Sequence, residues 1–590
     1  MHSIQEDFLT MHYAKDHRTG YLFDPWVHLR PRRRQILDTG WPGLFRKSLL
    51  DRLPVYRLAK KFKEFLGRHT KELFTILGGL ILQQMFDLSD EEARNALLFR
   101  TDWQYALDIT DSSDENLYVS ERTWRSYRQL CITEGLDSKM FEILTDFLIK
   151  AFGVDTTRQR LDSTHLLSNM RKLGRIRIFV ATIQKFLRVL KRRHPTLYAA
   201  LDKGFNERYL AKDADACFSR VKPSESSRTL QQSAEDLASL VERFAGHENI
   251  QKLPEYHLLE RVLREQCEVA GSSAEAKVTV KPPREVSSDS LQNPSDPDAG
   301  YDAHKGSGYQ AQLMETYQPQ ERKDPKIPNL ITYFDVEGAH KQDTDALKPA
   351  LEDTARRDCC PTQVLCDTSY GSDNNVQEAQ DKGVTVIAPV AGKTTTKSLT
   401  LGLFTSNPHT YFITGCPEGL SPEKVRRTKK NRLCATFNRE TCQTCSRRTD
   451  CPVVMGKKAA ALYYDAPMLR CAYRRNHEQT SEFKSRYRWR SGIEGTNSHL
   501  KQDTGASRLR VRGLPAMRFA GTLKALGVNI MRSVCAMNAR IAEGLTPLLG
   551  QNSLVTAVFS LLRSLSLDSL FQIKRKCHSL YENNCFYLCA

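Results

Sequence analysis

No stretch of the sequence is long and apolar enough to span a bilayer. The longest apolar run, Leu73 to Leu82, is about half of the ~20 residues a spanning helix needs. The opening MHSIQEDF has neither a basic nor an apolar segment, so no secretory leader is expected and the chain is expected to stay in the cytoplasm. No internal repeat recurs at a fixed period. Sixteen cysteines in 590 residues without a leader read as reduced thiols or metal ligands rather than a disulfide framework. Acidic residues are in deficit, 69 against 87 Lys and Arg, giving a formal charge of +18. An excess of that size points to a polyanionic partner, nucleic acid first. Hydrophobic residues at 40% and charged residues at 26% exclude wholesale disorder, and the length predicts two to four structural units.

Residues 1–60 are basic and aromatic, with the run Arg30-Pro31-Arg32-Arg33-Arg34. Helical spacing follows to about Leu144. Ser89 with Glu92 three residues later reads as a capping box, and Ser120 opens a short helix carrying Arg122, Trp124, Arg125 and Arg128. That helix reads either as a DNA-contacting element or as an amphipathic helix with a solvated basic face. Beyond RQRLDSTHLLSNM, whose Asp162 is expected to end a short strand, helical character runs to about Val269. Residues 270–300, rich in Ser, Pro and charge, read as a linker or exposed loop. Strands are predicted at GYQAQLMETY and NLITYFDV, and a helix around Thr344–Arg357. PTQVLCDTSYGSDNNVQEAQDKGVTVIAPV then reads as strand, Asp367 at the strand end, turn, helix and strand. This alternation argues for an α/β sheet. Residues 396–470 break the pattern with cysteines and a basic run, and a long helix is expected from about 475, then another over 515–545 and a helical tail from 546.

Three carboxylates stand out. Asp162 and Asp367 are predicted at strand ends, where open sheets place functional groups. Glu494 lies in the pattern Tyr487-x2-Arg490-x3-Glu494-x6-Lys501, whose offsets of 3, 7 and 14 put four polar side chains on one stripe of a continuous helix. Such a stripe is too polar for a core face. Phosphodiester chemistry with two divalent cations needs convergent carboxylate oxygens, and Arg490 and Lys501 would hold the phosphate strand beside them. The alternative for a lone Asp is a turn or cap. Asp296, Asp298 and Asp302 rival Asp367 but fall in a loop-rich stretch, and His165 reads as a local hydrogen-bonding residue rather than a ligand.

These residues resemble the DDE transposases of bacterial insertion sequences, in the branch with the Tyr-x2-Arg-x3-Glu-x6-Lys signature. FDLSDEEARNALLFR and VSERTWRSYRQL resemble that family's helical N-terminal module, and LDSTHLLSNM and LCDTSYGSDNN its two Asp motifs. SDPDAGYDAHKGSGYQAQLMETY resembles a segment leading into the second sheet strand, and SRLRVRGL the basic flank of the Glu helix. The resemblance implies an α/β, RNase H-like mixed-sheet catalytic domain over 151–545. It also implies an all-helical DNA-binding module over 1–150 that uses Arg122, Arg125 and Arg128, and leaves 546–590 as a C-terminal tail. It implies the triad Asp162, Asp367 and Glu494 holding Mg²⁺ or Mn²⁺, with Tyr487 positioning and Arg490 and Lys501 on phosphate. Since 205 residues separate the two Asp and 127 separate Asp367 from Glu494, insertions are expected at about 166–290 (helical) and 396–470 (Cys-rich). The implied partners are element-end inverted repeats and target DNA, with a homodimer in the synaptic complex, a nucleoid-associated bacterial location and no membrane.

In the Cys-rich block, Cys442-x2-Cys445 has zinc-knuckle spacing, and Cys451 and Cys416 complete a possible set of four thiolates. Cys434 competes with Cys416, Ser446 stands where the family has Pro, and unliganded thiols remain the alternative. Two other functions also stay open: a catalytically silent, transposase-derived DNA-binding regulator, and a metal-dependent nuclease that cleaves without joining.

Overall fold

The computed structural model describes residues 13–545 apart from Gly20, Leu22, 63–68, Ser112, 212–220, 271–276, 393–398 and Lys430. The tail expected from 546 lies outside the described residues. No described helix is long and apolar enough to cross a membrane.

Start signals in the sequence set the N-terminal helices. Ser89 and Glu92 form the reciprocal capping box that opens Asp90–Phe99, and the Ser120 hydroxyl accepts from the Thr123 N–H to open Glu121–Thr133. These helices do not pack as a unit of their own. Residues from Leu44 to Val154 share one apolar core with Leu313 and Val336 of the sheet and with the long helix Leu514–Ala542.

Strand β1 (Arg158–Leu166) is followed by a helical block with its own core, built on Arg175–Arg193, Ser226–Phe244 and Pro254–Gln266. A hairpin of β2 (Cys267–Ala270) and β3 (Lys277–Val280) closes that block. Residues 283–289 are largely exposed as expected, but 290–299 are no exposed linker. Leu291 and Asp296 are fully buried, because Arg261 donates to the Asp289 and Pro297 carbonyls and Lys185 to that of Pro294. A Ser/Pro-rich composition hides this, since the anchoring groups lie on other elements.

The chain then enters the main sheet through β4 (Gly300–Asp302), β5 (Gly306–Thr316), β6 (Ile331–Gly338), β7 (Gln363–Cys366) and β8 (Thr385–Ile387). Across the sheet the order is β6-β5-β1-β7-β8, with β4 also pairing β5. β5 is antiparallel to β1 and β6, whereas β7 is parallel to both β1 and β8. Period-two alternation on β5 sends Tyr309, Ala311 and Leu313 toward the long helix. Met314 faces the opposite way, onto Leu347 and Leu351 of the helix Leu347–Arg356. Asn529, midway along the long helix, fixes it to the sheet by exchanging hydrogen bonds with the Ile331 backbone.

The Cys-rich block is a small β-unit. It contains the pair β9 (Thr405–Ser406) and β10 (Ile413–Gly415). Beside it is a four-stranded sheet of β11 (Lys424–Arg427), β12 (Leu433–Phe437), β13 (Val454–Met455) and β14 (Ala460–Tyr464), in the order β11-β12-β14-β13.

Candidate active site

Asp367 stands where the sequence predicts it, one residue past β7, with its carboxylate capping the turn Thr368–Tyr370. Asp162 does not end its strand. It is the fifth of nine residues in β1, which continues to Leu166 because the antiparallel partner β5 runs on to that point. The parallel pairing with β7, however, stops at Leu161 and Cys366, so Asp162 and Asp367 are the next residues on neighbouring strands. They stand side by side at the edge where the parallel ladder ends.

The expected continuous helix from Tyr487 to Lys501 is broken. Ser481–Tyr487 is α-helical, Arg488–Gly492 is a 3₁₀ turn, and Ile493–Gln502 is α-helical again. The cause is distant in sequence. Arg160 of β1 donates to the Trp489 carbonyl at 2.8 Å, and the Ile493 N–H bonds Arg490 O, three residues back, instead of Trp489 O. Tyr487, Arg490, Glu494 and Lys501 therefore do not share one unbroken α-helical stripe.

Arg490 gathers the three carboxylates all the same. Its Nη2 lies 2.9 Å from Asp162 Oδ1 and 3.6 Å from Asp367 Oδ2, and its Nη1 lies 3.2 Å from Glu494 Oε1. Exposure rises outward from Asp162 (12%) through Asp367 (45%) to Glu494 (66%), so the cluster opens to solvent on the Glu494 side. Burial pushes the Asp162 carboxyl above its ordinary range against the pull of Arg490, and the like charges of Asp367 and Asp343 add to that rise. For Arg490, burial works against the charged form, but the surrounding carboxylates outweigh it and raise its pKa.

The donor set is hard oxygen from three elements, and a cationic group already sits among them, so these residues suit a divalent cation. Among the described residues no three His, Cys, Asp or Glu side chains close on one point as they stand.

Tyr487 is half-buried and stacks on Phe483 with ring centroids 5.4 Å apart, and burial raises its phenol pKa. Lys501 lies near the end of the helix Ile493–Gln502, its pKa lowered by burial and by the like charge of Lys305. Near it, both ring nitrogens of His165 are buried without a hydrogen-bond partner among the described residues, so the sequence reading of a hydrogen-bonding His165 fails. Burial and the facing lysines Lys305, Lys501 and Lys172 hold that imidazole neutral, with its pKa down to about 4.

Three rival acids are accounted for structurally. Asp296 is fully buried and accepts from Ser168, the Tyr309 hydroxyl and the Gly513 N–H; Asp298 accepts from the Leu514 N–H; Asp302 ties its own hairpin turn. Of the three arginines expected to contact DNA, Arg128 is spoken for by Asp90 and Gln83 inside the helical layer, while Arg122 and Arg125 are exposed. Sequence reasoning missed Asn497, whose Nδ2 lies 3.3 Å from Asp162 Oδ2. Its place three residues after Glu494, on the same helix face, was the available signal. It also missed Asp343, which opens the 3₁₀ turn Asp343–Ala346 before Leu347 and whose charge reaches Asp162, with no local signature.

Cys416, Cys442, Cys445 and Cys451 line one cavity of about 280 Å³ in the β-rich block, together with Arg447 and Arg448. Burial and the neighbouring thiols raise the Cys442 and Cys451 thiols. Cys434, by contrast, is fully buried in β12 and does not line that cavity.

Residues 415–534 match the family model of the transposase DDE domain. The match supports a DDE transposase, and it covers the four cavity cysteines, Tyr487, Arg490, Glu494 and Lys501 but neither Asp162 nor Asp367. No curated protein and no solved structure matches the chain.

Proposed function

We propose that this chain is a transposase that binds element-end inverted repeats, cleaves the DNA there and joins the freed 3′-hydroxyls to target DNA. The observation that carries the reading is the convergence of Asp162, Asp367 and Glu494 on one guanidinium. Two of these carboxylates come from adjacent parallel strands and one from a packed helix. The order β6-β5-β1-β7-β8 supports the RNase H-like reading of the sheet.

Asp162, Asp367 and Glu494 would hold Mg²⁺ or Mn²⁺, which supplies Lewis-acid activation of the attacking and leaving oxygens. Arg490 balances the three negative charges, and its planar fork would suit a DNA phosphate. Asn497 orients Asp162 by donating to it. Tyr487, packed on Phe483, keeps the end of the helix Ser481–Tyr487 against the sheet and is a positioning group, not a nucleophile. In the first step water forms a bond to the scissile phosphorus while the bond to the leaving 3′-oxygen breaks. In the second that 3′-hydroxyl gives up its proton and its oxygen bonds to a target phosphorus while the bond from that phosphorus to the target strand's own 3′-oxygen breaks, leaving a target 3′-hydroxyl. The exposed Arg122 and Arg125 and the wider +18 excess would carry DNA binding, in a homodimeric synaptic complex. Cys416, Cys442, Cys445 and Cys451 would hold a structural zinc that stiffens the β-rich block.

The test uses the full chain, labelled element-end DNA and Mg²⁺. Asp162→Asn, Asp367→Asn and Glu494→Gln keep shape and remove charge. Each should abolish end cleavage and leave DNA affinity within about twofold. Near-normal cleavage by any one of them removes that residue from the site.

A further inference from the structure

Behind the carboxylates lies a second acid that the mechanism above does not use. Glu315 on β5 is fully buried. It accepts from Arg160 Nη2 at 2.6 Å and Nε at 2.8 Å, from Arg532 Nη1 at 2.8 Å, and from the Thr496 hydroxyl at 2.6 Å. Each partner comes from a different element. Arg160 is the direct cross-strand neighbour of Glu315 and stands two residues before Asp162, on the same face of β1. Thr496 stands two residues after Glu494, and Arg532 belongs to the long helix.

A charge buried this completely is costly, and apolar residues of equal volume often serve stability as well or better. What apolar packing would not supply is direction. Arg160, held by Glu315, uses its remaining Nη1 to take the Trp489 carbonyl, and that bond accompanies the 3₁₀ break from which Arg490 and the Glu494 helix set out. Thr496 fixes the same helix two residues further on. One carboxylate thus ties the strand bearing Asp162 to the helix bearing Glu494, with Arg532 bracing both from the long helix.

We propose that Glu315, acting through Arg160 and Thr496, is a positioning residue that fixes the strand bearing Asp162 against the helix bearing Glu494, so that the two carboxylates can close on a shared cation. The proposal rests on the reading of these carboxylates as the cation-holding site. Glu315→Gln keeps the volume and the acceptor oxygen but removes the charge that orders two guanidinium groups. Asp296→Asn is the control, because Asp296 is equally buried and multiply bonded but belongs to a different network.

Two readouts on the full chain separate the possible failures. In cleavage of element-end DNA, Glu315→Gln should lower kcat about 10–100-fold, the range seen when the supports of a site are removed, with KM little changed. In Mn²⁺ binding followed by electron paramagnetic resonance, without DNA, Glu315→Gln should weaken affinity about tenfold and Asp296→Asn should not. If the wild-type chain binds Mn²⁺ but cleaves nothing, the transposase reading fails while the positioning claim is still decided by the Mn²⁺ comparison. Equal Mn²⁺ affinity in Glu315→Gln and wild type overturns the claim, as does an equal loss in Asp296→Asn. Should Glu315→Gln fail to fold, Thr496→Val leaves the Arg–Glu pairs intact and is expected to lower kcat and Mn²⁺ affinity in the same direction; wild-type values there overturn it too.

Discussion

Gly492 offers a contest between two effects of opposite sign. Its backbone is helical, φ −62° and ψ −17°, so alanine fits the conformation and helix propensity alone predicts a gain of about 1 kcal/mol. A Cβ there, however, would sit 2.9 Å from Arg160 Cζ and closer still to Nη1. Arg160 cannot simply retreat, because it is 8% exposed and its guanidinium is engaged with Glu315 and the Trp489 carbonyl. If the neighbours yield, overpacking costs about 1–3 kcal/mol; if the Arg160–Glu315 pair separates, the loss is about 3–5 kcal/mol. Set against the propensity gain, Gly492→Ala should destabilise the protein by up to about 4 kcal/mol. Gly495, on the same helix three residues on, has nothing within 4 Å of an added Cβ. Gly495→Ala should therefore stabilise by about 0.5–1 kcal/mol. Urea unfolding followed by tryptophan fluorescence compares the three proteins directly. A Gly492→Ala protein more stable than wild type, or a Gly495→Ala protein that loses as much, refutes the tight seating of Arg160 beneath this turn.

A buried carboxyl and the clustered cysteines make two further predictions. Burial raises the Asp137 carboxyl from its ordinary 3.8 to about 6, so the folded state holds that proton more tightly than the unfolded chain does. Its contribution is fully favourable below pH 3.8 and is lost as pH rises through about 6. Asp137→Asn should then stabilise the protein at pH 7–8 by at most about 3 kcal/mol, at about 1.4 kcal/mol per tenfold change, and by little at pH 4; an equal effect at both pH values contradicts this. For the cysteines, protein purified without chelator should carry about one zinc per chain, and Cys442→Ser should remove it while element-end DNA affinity persists. Elemental analysis showing no zinc ends that part of the account.

What was legible in the sequence was local. An apolar run ending in Asp367, with a turn and a helical stretch after it, announced strand, carboxylate and helix, and all three stand where expected. The capping box at Ser89 was equally readable, since both of its partners lie within four residues. What escaped was set at a distance. Asp162 looked like a strand end because the sequence does not reveal that β5 continues alongside β1 after β7 has stopped. The break before Glu494 depends on an Arg160 contact made across 329 residues, and no periodicity within the helix could reveal it. Arg128 looked like a DNA contact because its partner Asp90 lies on another helix. Glu315 carried no signal, being one acid in an otherwise ordinary strand pattern.

One carboxylate cluster should serve both cutting and joining, and joining of pre-cleaved ends tests this most directly. Element-end DNA supplied with a free 3′-hydroxyl bypasses cleavage, so the covalent product with a supercoiled target plasmid reports the second displacement alone. Wild-type protein with Mg²⁺ should yield joined product. Asp162→Asn, Asp367→Asn and Glu494→Gln should yield none while still binding the ends. Joined product from any of the three variants, or its absence from a wild-type protein that cleaves the ends, would contradict the account.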